Sequence, residues 1–393
     1  MKKTLIALTL AALPVASMAE VTLFGTIKGG LEYTKVKGAK NTVTNANDWD
    51  SKLGFKGEED LGNGLKAIWQ LESKASIDHQ SGRNDDRNTL TSFIGLDAGT
   101  FGKLRAGHLP DAIKDMGDLN LDASGHGVRA LDHHWERTGG RHTAVRYDSA
   151  NFGGFSFNVL YSPEDNQRYD QARKSSYVTT QTDVCVEVKD GKCTKFERGN
   201  LNVPQSGIGD LDGLEGVAPV VDTVTRNTAL TSVGLNYGIA GFFVKYGFIH
   251  QIDKHPDVYN SMVHRIMGGY DANNVFVGLG YQFTRGFDAA QYKTQEVALS
   301  AAYRIGNVVP RLTYVHGFKE ETGDAKVADS KYDQVVLGAD YDLSKRTTVI
   351  ASLGWMKEGQ NKANKFIDNF NGGVVDKKSD QAYSFGLGLS HKF

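Results

Sequence analysis

From Val21 to Phe393 apolar and polar residues alternate in short runs, and the alternation recurs along the whole chain. A period of two is the spacing of a β-strand with one apolar and one polar face, because successive side chains leave a strand on opposite sides. The first run places Val21, Leu23, Ile27, Leu31 and Tyr33 on one face and Thr22, Thr26, Lys28, Glu32 and Thr34 on the other. The last places Tyr383, Phe385, Leu387, Leu389, His391 and Phe393 together. Sixteen such segments are predicted, near 21–35, 50–60, 64–74, 88–97, 101–107, 143–149, 154–162, 228–237, 241–250, 263–270, 274–283, 294–304, 308–318, 332–341, 347–356 and 380–393.

The connections between these segments alternate in length. Seven are short and rich in turn formers, such as Asp60-Leu61-Gly62-Asn63-Gly64, Asp271-Ala272-Asn273 and Ile305-Gly306-Asn307. Eight are longer and polar, near 36–49, 75–87, 108–142, 163–227, 251–262, 284–293, 319–331 and 357–379. That arithmetic fits up-and-down strands with both termini on the short-turn side, and an even count lets the first and last strands pair. A soluble sandwich also alternates apolar and polar residues, but nothing in it keeps long and short connections in strict order. A membrane demands closure, since an unpaired backbone group in lipid costs several kcal/mol. The fold class expected is therefore all-β: a sixteen-stranded antiparallel transmembrane β-barrel.

Composition agrees. The chain has 45 Gly but only 7 Pro, as expected where most residues donate to ladders, and its 16 Tyr and 19 Phe suit interfacial girdles. Mean hydropathy is −0.38, as in a soluble protein; a barrel gives the same average, because lipid-facing and lumen-facing residues alternate. Lys2 and Lys3, the apolar run Leu5 to Ala16 and the small residues Ser17 and Ala19 read as an export signal cleaved before Glu20. The domains expected are a signal peptide, 1–19, and a barrel, 20–393. Without Lys2 and Lys3 the net charge is −3, which offers nothing to nucleic acid. Cys185 and Cys193, close together in an exported chain, can close a local disulfide; two free thiols are the alternative.

Several stretches resemble the neisserial and related betaproteobacterial general porins of the Gram-negative outer membrane. They include Val21-Thr22-Leu23-Phe24-Gly25-Thr26-Ile27-Lys28, Gly57-Glu58-Glu59-Asp60-Leu61-Gly62-Asn63-Gly64-Leu65-Lys66, Phe101-Gly102-Lys103-Leu104-Arg105-Ala106-Gly107, Tyr341-Asp342-Leu343-Ser344-Lys345-Arg346-Thr347 and His391-Lys392-Phe393. The resemblance spans the mature chain and breaks mainly at the long loops. It implies a homotrimer of barrels, each with its own pore, and a third external loop folded inward to narrow the channel. It also implies that the terminal Phe393 is a signal for the outer-membrane assembly machinery, and that the barrel's surroundings are outer-membrane lipid and lipopolysaccharide. One departure is His108, where family members usually carry Arg.

Strand parity then assigns the lumen. With Leu104, Ala106, Val145 and Tyr147 outward, Lys103, Arg105 and Arg146 point inward, joined by Lys28, Lys66, Arg87 and Arg311. The third loop, as constriction, brings His108, Asp111, Lys114, Asp115, Asp118 and Asp122. A basic wall facing an acidic loop predicts a transverse field, passive passage of small ions and hydrophilic solutes, and a weak preference for anions. For each single charge a solvated side chain with no special role is an equal reading. No catalytic set is evident: His133-His134-Trp135-Glu136 lacks zinc-protease spacing, and there is no Gly-x-Ser-x-Gly or phosphate loop. Neither an enzyme nor a cofactor nor a metal is expected. An adhesive barrel would not need the inward charges, and a substrate-specific channel would show a continuous lumenal row of aromatics.

Overall fold

A computed structural model describes residues 20–39, 42–78, 89–117, 119, 135, 138–163, 177–189, 192–204, 228–253, 260–286, 292–323, 325–362 and 379–393, with backbone alone for 20, 177–189, 192–204, 228 and 253. The signal segment, Arg87, Asp118 and Asp122 lie outside the described residues. In chain order the strands are β1 (Glu20–Val36), β2 (Val43–Asp48), β3 (Lys52–Gly62), β4 (Leu65–Lys74), β5 (Ser92–Asp97), β6 (Lys103–Pro110), β7 (Arg141–Asp148), β8 (Phe155–Ser162), β9 (Tyr177–Lys189) and β10 (Lys192–Pro204). They continue as β11 (Thr228–Ile239), β12 (Phe242–Asp253), β13 (Ser261–Ala272), β14 (Val275–Arg285), β15 (Tyr292–Tyr303), β16 (Val308–Gly317), β17 (Glu321–Thr322), β18 (Ala325–Lys326), β19 (Tyr332–Asp342), β20 (Thr347–Glu358) and β21 (Gln381–Lys392). One short helix, α1 (Ala112–Asp115), follows β6.

Sixteen of these strands form one closed antiparallel ring, which is the expected barrel. Each pairs with its sequence neighbour among β1, β3 to β8, β11 to β16 and β19 to β21, and β1 pairs with β21 to close the ring. At the seam Phe393 and Gly25 exchange backbone hydrogen bonds of 3.2 and 3.1 Å. The short turns are tight because their residues accept a left-handed backbone: Asn273 and Asn274 have φ of 54° and 66°, the requirement of a two-residue hairpin.

Three loops hold strands that the alternation did not reveal. The segment near 36–49 contains β2, which continues β3 along β1 after a break at Trp49-Asp50-Ser51. Register slips there by one residue, with Asp50 at φ 66°, so the break is a bulge. Ser51 Oγ mends it, accepting from Lys28 N at 2.9 Å and donating to Lys28 O at 3.0 Å. In the longest loop β9 and β10 form a separate hairpin, whose register sets Cys185 opposite Phe196 and Cys193 opposite Val188. Their side chains, and so the expected disulfide, lie outside the described residues. The third case is the small hairpin of β17 and β18.

The outer face is apolar all round. Leu31, Leu71, Ile94, Leu104, Leu279, Leu337, Leu353 and Leu389 are among its exposed residues. Tyr237, Tyr303 and Tyr341, close to the short turns, and Tyr161, Tyr281 and Tyr383, close to the long loops, mark two aromatic levels. Exposure to hydrocarbon explains why such residues need no partner within the chain.

Candidate functional site: the third loop and its seat in the lumen

The loop after β6 turns into the barrel at once. Asp111 caps α1, its Oδ1 accepting from Lys114 N at 2.8 Å. Its other carboxylate oxygen accepts from Gly140 N at 2.6 Å and lies 3.1 Å from His142 Nε2. Gly140 O in return accepts from Asp111 N at 3.0 Å. The two limbs of the loop are thus pinned together at their base by one buried carboxylate.

Below that base the loop lies on an apolar seat. Ile113, Met116, Leu119 and Trp135 pack with Leu160, Leu230, Ile249, Val263, Met267 and Ala298, all on inward-facing strand positions. Room comes from inward glycines. A Cβ added at Gly280 would lie 2.7 Å from Trp135 Cη2 and 3.0 Å from Leu119 Cδ1. At Gly247 it would lie 2.8 Å from Ile113 Cδ1 and 2.9 Å from Met116 Sδ. Side chains of the loop therefore occupy the volume that wall side chains would fill. The wall of β8 and β11 to β15 is buried where the loop covers it.

Three cations of the wall grip the loop, or the strand end that leads into it, by carbonyl oxygens. Arg146 donates to Pro110 O at 2.8 Å, Lys245 to Met116 O at 3.0 Å, and Arg265 to Trp135 O while its guanidinium stacks on the Trp135 ring at 4.5 Å. Arg146 is also held by Asp115 of the loop at 2.6 Å and by Asp148 at 2.7 Å. Behind Arg265 runs a buried chain of hydrogen bonds. Its Nε donates to Gln282 Oε1 at 2.8 Å, and Gln282 Nε2 donates to Thr138 Oγ1 and to Glu296 Oε2, each at 2.8 Å. Tyr332 OH donates to Glu296 Oε1 at 2.6 Å. Lys362, from the last long loop, lies over the Tyr332 ring and pairs with Glu320 at 3.4 Å. Buried polar groups need partners, and every member named here has one.

The residues expected from parity are spread over the barrel rather than gathered in one row. Arg105 and Arg146 are neighbours facing inward, and Arg105 pairs with Asp148 at 2.6 Å while stacking on Phe93. Arg311 faces inward on β16, far round the ring, and pairs with Asp340 at 3.0 Å. Lys66 and Lys103 lie near the short turns, paired with Glu58 at 2.6 Å and Asp97 at 2.8 Å. Lys28 lies beside the bulge at Ser51. Lys114 is exposed on α1. His108 is a correction: β6 runs on to Pro110, so the alternation continues and His108, opposite the exposed Thr143, shares the outer face of Leu104 and Ala106. It is not part of the constriction loop.

Parity alone did not find Lys245, Arg265, Gln282, Glu296 or Trp135. The signal available for the seat was a stretch apolar on both faces but for Lys245, from Phe242 to Ile249, with alternate glycines, Gly278 and Gly280, two strands away. Strands buried on both faces read this way.

Comparison with known proteins places this architecture. The family described as Gram-negative porin matches residues 26–393. The chain is 38% identical to the major outer membrane protein P.IB of Neisseria sicca, over all of both chains. It is 40% identical to that of Neisseria lactamica, over 92% of this chain and 95% of the relative. Among solved structures, the anion-selective porin from Comamonas acidovorans superposes with a TM-score of 0.64 at 22% identity, covering 95% of this chain and 100% of that one. OmpT of Vibrio cholerae, in a trimer form, gives 0.59 at 13% identity, covering 95% and 99%. A closed barrel with an apolar belt, an inward loop and these full-length relatives make the chain a member of the Gram-negative porin family, a general outer-membrane channel and not an enzyme.

Proposed function

We propose that the channel passes small hydrophilic solutes and ions passively, that it weakly prefers anions, and that the third loop and the wall it faces set this preference. The carrying observation is the partner of Lys245. It binds a carbonyl oxygen, and among the described residues no carboxylate in contact cancels its charge beside the loop. Lys114 adds an exposed ammonium on α1, and Lys56 another on the inward face of β3. Against them, Asp115 and Asp148 are engaged by Arg146 and Arg105. The transverse field expected from a basic wall and an acidic loop is thereby reduced at its centre, where opposite charges touch. Fixed charges act over about 8 Å at physiological salt, and the lysines beside the loop support a preference that is weak rather than firm.

The same reading includes a homotrimer in outer-membrane lipid and lipopolysaccharide, removal of residues 1–19 on export, a disulfide between Cys185 and Cys193, and recognition of Phe393 by the assembly machinery. The test is the reversal potential of the purified protein in planar bilayers under a potassium chloride gradient. A small anion-selective potential that moves towards cations in Lys245→Gln is expected, with conductance steps in threes. Firm cation selectivity of the native channel would reject the proposed preference.

A further inference from the structure

Beneath the third loop, towards the short turns, the lumen holds an aromatic ledge. Phe243 of β12 and Phe276 of β14 both point inward, half-buried, with ring centroids 6.2 Å apart and planes within 14°. They lie across glycines, Gly269 of the strand between them and Gly278 of Phe276's own strand. A Cβ at Gly269 would lie 2.9 Å from Phe243 Cζ, and one at Gly278 would lie 3.2 Å from Phe276 Cζ. The rings are thereby laid down along the wall. They line a cavity of about 470 Å³ shared with Met116, Met267, Lys245 and Asp271.

Two features distinguish this cavity from ordinary lumen. An aqueous path is normally lined by polar groups, and half-buried phenyl faces left to water forgo the hydrophobic gain of burial. Beside them, Lys245 Nζ lies 5.9 Å from the Phe243 centroid and, among the described residues, makes one hydrogen bond, to Met116 O, of the three it can donate. The ledge is polarised along the strand. Lys245 pairs in register with Met267, and Asp271 stands four residues further on, about 13 Å towards the turn. The ammonium therefore flanks the rings on the constriction side, and the carboxylate flanks them on the mouth side.

We propose that this ledge is a binding subsite for aromatic carboxylates in transit, the ring resting on Phe243 and Phe276 and the carboxylate meeting Lys245 Nζ. Parallel rings favour a flat solute over a branched aliphatic one, since offset stacking needs a face. Asp271 sets the direction, repelling a carboxylate that enters reversed. The proposal rests on the lumen being the conducting path.

The test uses single-channel recording in potassium chloride with 2-naphthoate, acetate or 2-naphthylmethylammonium added. 2-Naphthoate is expected to interrupt the current or raise its noise at low millimolar concentration, acetate to leave it unchanged, and the cationic analogue to act about tenfold more weakly. Phe243→Leu with Phe276→Leu keeps the volume apolar, removes the ring faces and should weaken the block about tenfold. Lys245→Gln should weaken it similarly, the conductance in plain potassium chloride reporting whether the loop has stayed in place. Equal block in native and double-leucine channels, or none in a native channel of normal conductance, overturns the subsite and leaves the channel standing. Absence of conductance in plain salt overturns both.

Discussion

Trp135 is the loop's largest apolar anchor, and its removal should free the loop without opening the barrel. The indole is fully buried against Gly280 and Leu119, but its residue belongs to no ladder. Trp135→Ala deletes a buried aromatic, a change that costs about 3–5 kcal/mol. The sixteen-stranded ring keeps its backbone hydrogen bonds, so the cost falls on docking of the loop. At about 1.4 kcal/mol per tenfold change, even the lower figure raises the undocked fraction more than a hundredfold. Single-channel recording should show a larger main conductance or frequent excursions to larger levels, with unchanged β-sheet circular dichroism. Gly280→Val presses on the same space from the other side, forcing carbon to within 2.7 Å of the ring, and overpacking of this kind costs about 1–3 kcal/mol. The double variant should be no worse than Trp135→Ala alone, because valine enters the space the indole leaves. A folded Trp135→Ala channel with native conductance and noise would refute this account of what holds the loop, and strictly additive effects would refute the contact.

Two further outcomes follow from buried charge. Arg146→Met leaves Asp115 without its cation and Asp148 with Arg105 alone, so reversal potentials should move towards cations; Asp115→Asn should be milder, since Arg146 keeps Asp148 and Pro110 O. Lys362 and Glu320 are almost wholly buried, so Lys362→Met alone should cost about 3–5 kcal/mol and lower the heat-denaturation midpoint in detergent. Lys362→Met with Glu320→Met should recover much of the loss, because neither member of the pair is then left as an unmatched buried charge.

The barrel was legible in the sequence because closure in lipid imposes a rule on every strand. Leu279, Tyr281 and Leu299 must face out, so period two survives in each segment. β2, hidden in a loop, was not legible because Thr44, Asn45 and Asn47 leave no apolar face to sort. Within the site, parity found Arg105, Arg146 and Arg311 but not their partners. Asp148 lay two residues from Arg146 on the same face and could have been read. Asp340 could not: it meets Arg311 across a ladder whose register places Arg311 opposite Gly338. The seat was obscured by the rule that revealed the barrel. Leu160, Ile249, Val263 and Met267 put apolar residues on the polar side, where an inward loop covers them.

That exception is what lets a loop stay inside a water-filled channel. Ordering each residue of a loop costs about 1–2 kcal/mol of backbone entropy, and an exposed ion pair returns at most about 1 kcal/mol. A loop tethered by solvated charges alone would swing free. Burial of a side chain the size of Leu119 or Ile113 contributes about 1.5–3 kcal/mol, and several such groups lie on the seat together. Dryness also strengthens the polar grips, since Arg265 and Gln282 make their hydrogen bonds where water does not compete. The apolar seat and the cationic clamps therefore depend on each other. Either one weakened alone should loosen the loop, and the channel's narrowest passage is as permanent as the weaker of the two.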